Sequence, residues 1–116
     1  MQLKMNVLKK NGNIDNRIIS FKHIRTKLKE EYEEVDTELR LLATDYKGAD
    51  LRNLVRETFD LIQMCILTLD KCNTYAGLID ENKMLELINI EHRDKLKNRG
   101  WELGADINIE VKRSRE

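Results

Sequence analysis

Proline is absent from this 116-residue chain, and only five glycines and two cysteines occur. Charge of one sign is missing too, because 21 Lys and Arg balance 21 Asp and Glu. Each absence excludes something. A balanced charge offers no bulk attraction to nucleic acid or to an anionic membrane. No run approaches the roughly 20 apolar residues that span a bilayer, and the opening MQLKMNVLKKNGN has no apolar signal-peptide core. A cytoplasmic protein is therefore expected, made of one domain spanning 1–116, since the length suffices for one and not for two. Cys65 and Cys72 are seven apart on one expected helix. Two turns separate them by about 10 Å, too far for a disulfide. No Cys/His spacing fits zinc, so both are expected to be small core residues.

What is present is helical. The glycines at 12, 48, 77, 100 and 104 act as punctuation. A first helix is expected from about Ser20, a good N-cap, to about Thr44, with the stripe Phe21, Ile24, Leu28, Tyr32, Val35, Leu39 and Leu42. A second follows Asp50 and ends before Gly77, with a stripe running from Leu51 through Thr58 and Cys65 to Leu69. A third runs from near Asp80 to Gly100, which suits a left-handed C-cap, and turns Met84, Leu85, Ile88, His92 and Leu96 inward. Residues 3–7 (LKMNV) and 107–111 (INIEV) alternate apolar with polar, the strand period, and are expected to pair as a short β-ribbon from the termini. The fold class is thus all-α: an antiparallel helical bundle, core 20–101, with peripheral segments 1–16 and 102–116. Leu41, Phe59, Met64, Leu87 and Ile90 fall outside the main stripes, and self-association of the bundle is the simplest way to cover them.

The acidic residues are placed unusually. At about 100° per residue, Glu31 lies about 60° and Glu34 about 120° to one side of the apolar seam of the first helix. Lys27 and Glu38 share that flank, and Glu30 is further round. On the second helix, Glu57 and Asp60 flank the stripe three residues apart. Glu-rich helices are commonly solvated faces laced with salt bridges. If the two helices pack antiparallel, however, both acidic pairs meet beside the core. Packed carboxylates repel, and a divalent cation compensates them; Mg²⁺ takes hard oxygen ligands and works beside phosphates. The third helix turns basic along its inward line, with His92, Lys95 and Arg99. Lys95 and Arg99 offer a phosphate clamp, or simply complement the helix dipole. Trp101 is a packing anchor or a stacking platform.

EEYEE (30–34), 22 further residues and ETFD (57–60) match the pattern EExxE…ExxD. Together with KLKEEYEEV, VRETFDLIQMC and HRDKLKNRGW (92–101), the chain resembles, over about 20–101, the MazG-like all-α nucleoside triphosphate pyrophosphohydrolases, in particular small members from phages and prophages. The resemblance implies a homodimer or homotetramer that cleaves (deoxy)nucleoside triphosphates between the α and β phosphates with Mg²⁺, or Mn²⁺ in its place. It implies Glu31, Glu34, Glu57 and Asp60 as metal ligands, Glu30 and Glu31 as catalytic residues, with Glu30 a further ligand or the group that orients water. Lys95, Arg99 and Lys27 would contact phosphates. The third helix departs from the basic and Asn arrangement of dUTP- and dCTP-cleaving relatives, which leaves the base open. A non-catalytic interaction or nucleotide-sensing module that retains the acidic scaffold is the alternative.

Overall fold

The computed structural model describes residues 1–113, so the last three residues of the 102–116 segment lie outside the described residues. In chain order it holds β1 (Lys10–Asn11), β2 (Ile14–Asp15), α1 (Phe21–Ala43), α2 (Leu51–Leu78) and α3 (Met84–Asn98). The protein is mostly helical, as expected. It forms two compact units, Met1–Lys71 and Cys72–Glu116.

The first unit opens with a hairpin instead of the expected terminal ribbon. β1 and β2 pair antiparallel, Lys10 opposite Asp15 and Asn11 opposite Ile14, around the two-residue loop Gly12-Asn13. Gly12 has φ 56°, which fits a type II′ turn with glycine in its first central position. Asn16 ties the base of the hairpin, its side-chain amide donating to the Leu8 carbonyl at 3.0 Å. Arg17 forks onto Asp15 through bonds of 3.0 and 2.8 Å, and this guanidinium pulls the Asp15 carboxyl down to about 2. Neither LKMNV nor INIEV is a strand. Gln63 of α2 donates to the Asn6 carbonyl, so part of the N-terminal segment is held by a side chain instead of a ladder.

Helix α1 starts where its cap dictates. The Ser20 hydroxyl accepts from the His23 backbone N–H at 3.0 Å, and Thr44 is the C-cap. The buried positions are Ile24 and Val35, with Leu28, Leu41 and Leu42 partly buried. Tyr32, Leu39 and Phe21 are exposed, so the inward stripe is narrower than expected.

All three helices end in the same way, with paired 6→1 and 5→2 hydrogen bonds that recover orphaned last-turn carbonyls. In α1, Tyr46 N–H donates to Leu41 and Asp45 N–H to Leu42; in α2, Glu81 donates to Ala76 and Asp80 to Gly77; in α3, Trp101 donates to Leu96 and Gly100 to Lys97. The residue after each C-cap is left-handed: Asp45 (φ 50°), Asp80 (φ 58°) and Gly100 (φ 85°). Only Gly100 was expected in this role. Helix α2 runs through Gly77 and stops at Asp80, because aspartate also tolerates the left-handed conformation. Asp80 is therefore the terminator of α2 and not the start of α3, which begins at Met84.

The inward face of α2 also differs from expectation. Leu67, Lys71 and Ala76 are buried, whereas Cys65 and Leu69 are exposed; Cys72 is partly buried. The Lys71 ammonium lies 5.3 Å from the centroid of the Phe21 ring, a cation–π contact. In α3, Met84, Leu85 and Leu96 are partly buried as expected, but Ile88 and His92 are exposed and no residue is fully buried. Among the described residues no helix is long and apolar enough to cross a membrane.

Candidate metal centre

Four carboxylates converge in the first unit. Glu31 and Glu34 come from α1, one helical turn apart; Glu57 and Asp60 come from α2 with the same spacing. Each offers one oxygen, and the four oxygens lie within 4.8 Å of one another. The two helices thus bring together the four acidic residues that the sequence pattern singles out.

The remaining acids of α1 behave differently. Glu30 pairs with Lys27 at 3.2 Å, Glu33 with Lys29 at 3.9 Å and Asp36 with Arg40 at 3.4 Å, all within one turn on an exposed face. These are ordinary surface pairs worth a few tenths of a kcal/mol each. Among the described residues, none of the four clustered carboxylates has a Lys or Arg partner. Glu31 and Glu57 are partly buried, Glu34 and Asp60 exposed. One oxygen of Glu31 and one of Glu57 are cut off from solvent and receive no hydrogen bond.

That arrangement sets the electrostatics. Burial, followed by the neighbouring Glu34, Asp60 and Glu57 charges, pushes the Glu31 carboxyl up to about 7. Glu57 is also raised, first by its close approach to Glu34, then by burial and the charges of Glu34, Asp60 and Glu38. Glu34 stabilises either neighbour only when a proton sits between the two, because ionised carboxylates have nothing to donate. With every group ionised, the buried oxygens of Glu31 and Glu57 have no compensation. The protein can relieve this by taking up a proton or by taking up a cation.

The donor set fits a hard divalent ion. All four ligands are carboxylates, and the span of 4.8 Å compares with roughly 4 Å across a Mg²⁺ coordination sphere of about 2.1 Å radius. The orphaned oxygens of Glu31 and Glu57 carry negative charge that a cation at this position would compensate.

The other residues expected at the site are arranged otherwise. Glu30 and Lys27 are bonded to each other outside the four-carboxylate group. Lys95 in the last turn of α3 and Arg99, its C-cap, line a shallow, open hollow with Leu87, Ile90, Glu91, Asp94 and Asn98.

No family model, no curated protein and no solved structure matches this chain.

Proposed function

We propose that the chain is a divalent-metal-dependent nucleoside triphosphate pyrophosphohydrolase of the MazG-like kind. It would release pyrophosphate and a nucleoside monophosphate. The observation that carries the proposal is the group of four unpaired carboxylates, two with buried oxygens lacking any donor. The EExxE…ExxD spacing of Glu30, Glu31, Glu34, Glu57 and Asp60 supports it.

Glu31, Glu34, Glu57 and Asp60 are the residues that would hold Mg²⁺ or Mn²⁺. The ion supplies charge neutralisation for the triphosphate and a more acidic water. Glu31 is proposed as a catalytic residue as well as a ligand, because its carboxylate stands beside the position where the ion would hold water. The pair of Glu30 with Lys27 would open as Lys27 turns to a phosphate oxygen, leaving Glu30 to orient water or add a ligand. Lys95 and Arg99 are proposed as phosphate contacts on their chemistry: paired cations one turn apart that can bond several phosphate oxygens. The protein is proposed to act as a homodimer or homotetramer in the cytoplasm.

The test is pyrophosphate release from a panel of ribo- and deoxyribonucleoside triphosphates with Mg²⁺, beside Glu57→Gln and Asp60→Asn. Release by the parent chain that vanishes in both variants supports the proposal. A folded, oligomeric protein that releases pyrophosphate from no triphosphate overturns it.

A second function is favoured by a separate observation. Helix α3 exposes Leu87, Ile88 and Ile90, at 60, 54 and 57%, as a partner-binding helix does. A non-catalytic interaction module would show no thermal shift with Mg²⁺ and nucleotide, whereas an enzyme or a nucleotide sensor would.

A further inference from the structure

Two segments of this chain are built to pair as strands, and neither does so within the single chain. Residues 3–7, LKMNV, and 107–111, INIEV, both alternate apolar with polar. The only strands among the described residues are those of the short hairpin. Met5 and Val7 are partly buried, while Lys4 and Asn6 are exposed. In the other segment every apolar residue is open to solvent: Ile107 at 86%, Ile109 at 78% and Val111 at 53%.

The segments are complementary in charge. Residues 1–10 carry Lys4, Lys9 and Lys10 and no acid; residues 101–111 carry Glu102, Asp106 and Glu110 and no base. One antiparallel register satisfies every position. It sets Leu3 opposite Val111, Met5 opposite Ile109 and Val7 opposite Ile107 on the apolar side. Lys4 then faces Glu110, and Asn6 faces Asn108, on the polar side. A shift by one residue sets apolar against polar throughout.

The backbone agrees with this register. The Asn6 carbonyl is taken by the Gln63 side chain. In an antiparallel pair, alternate residues direct both backbone groups toward the partner and the others direct both away. With the Asn6 carbonyl turned to Gln63, the backbone groups of Met5 and Val7 are the ones directed to the free edge, opposite Ile109 and Ile107. Lys4–Glu110 and Asn6–Asn108 become the closer, non-hydrogen-bonded pairs.

We infer that the 107–111 segment of one copy adds as an antiparallel strand to the 3–7 segment of a second copy, so that an exchanged β-ribbon holds the oligomer together. This rests on the proposed homo-oligomer and is independent of catalysis. The ribbon would cover Ile107 and Ile109 on the side where Met5 and Val7 already turn inward, and blunt two unpaired edges at once.

Mixing full-length Asn6→Cys and Asn108→Cys chains and oxidising them tests the register. Both substitutions lie on the polar side, and non-hydrogen-bonded partners with Cα atoms about 4.5 Å apart are within disulfide reach. A disulfide joining the two different chains, assigned by peptide mass so that bonds to Cys65 or Cys72 are set aside, is expected. Asn6→Cys mixed with Ile109→Cys, on opposite sides, should give far less. Lys4→Glu should weaken association by up to about fivefold per ribbon, and Glu110→Lys added to it should restore association. An equal yield from the in-register and off-register mixtures overturns the ribbon, as does a 6–108 bond formed only inside one doubly substituted chain. Light scattering separates the two proposals: a monomer overturns both the oligomer and the ribbon, whereas an oligomer without the 6–108 bond overturns the ribbon alone.

Discussion

Raising the pH should weaken the metal-free protein, and Mg²⁺ should reverse the loss only where the pH is high. Glu31 is the origin. Its carboxyl moves from 4.5 to about 7 in the folded chain. A group whose folded value is raised contributes stability that is complete below its unfolded value and is lost as the pH climbs through the folded one. The window therefore runs from about pH 4.5 to about pH 7. The shift corresponds to about 3 kcal/mol for a fully buried group; Glu31 is partly exposed, and solvent screening reduces this to about 1–2 kcal/mol. For a chain of this size that is a fall in Tm of roughly 5–10 °C between about pH 5 and pH 8. A divalent ion held by Glu31 as proposed would have to displace its proton, so below about pH 7 each pH unit would cost up to about tenfold in apparent affinity. Mg²⁺ at about a hundred times its Kd at pH 8 adds about 2.7 kcal/mol there, and at pH 5 only a few tenths. Thermal unfolding followed by circular dichroism, with and without Mg²⁺ across this range, gives the numbers. Calorimetry in buffers of different ionisation enthalpy counts the released proton. A Mg²⁺-induced shift of the same size at pH 5 and pH 8, or one unchanged in Glu31→Gln, would refute both the shared-proton account and the assignment of Glu31 as a ligand.

Glu57→Gln should abolish pyrophosphate release and the Mg²⁺ response, yet make the metal-free protein more stable at pH 8, because it removes one of four mutually repelling charges; a lower metal-free Tm than the parent's would contradict this. Asp45→Gly and Asp80→Gly replace residues at φ 50° and 58° and should each stabilise by about 0.5–1 kcal/mol, read from urea midpoints. Ser20→Ala deletes the hydroxyl cap of α1 and should cost about 1 kcal/mol in the same assay. Lys83, the N-cap of α3, makes no side-chain cap, so Lys83→Asp should stabilise by about 0.5–1.5 kcal/mol; a loss would show that the Lys83–Glu86 pair outweighs capping.

The three helices were legible because their signals are local. Ser20 before a periodic run and Gly100 after one are positions where the backbone alone states its need. The same locality explains the errors. Asp80 ends α2 by a conformation that aspartate adopts less readily than glycine, so Gly77 looked the better terminator. The Gly12-Asn13 hairpin carried a recognisable turn signal, but its strands are only two residues long and have no hydrophobic alternation to announce them.

For the site, the sequence by itself determined that Glu31 and Glu34 share one flank of α1, and Glu57 and Asp60 one flank of α2, since 100° per residue leaves no other placement. Only the tertiary structure decided that the two flanks meet with their oxygens within 4.8 Å, that one oxygen on each of Glu31 and Glu57 is sealed from water, and that Glu30 turns instead to Lys27. Burial and proximity across helices depend on how two faces rotate against each other. That rotation is set by packing, which also drew Leu67 and Lys71 inward and left Cys65 outside. Helical periodicity fixes angles about one axis and carries no information about the neighbouring one.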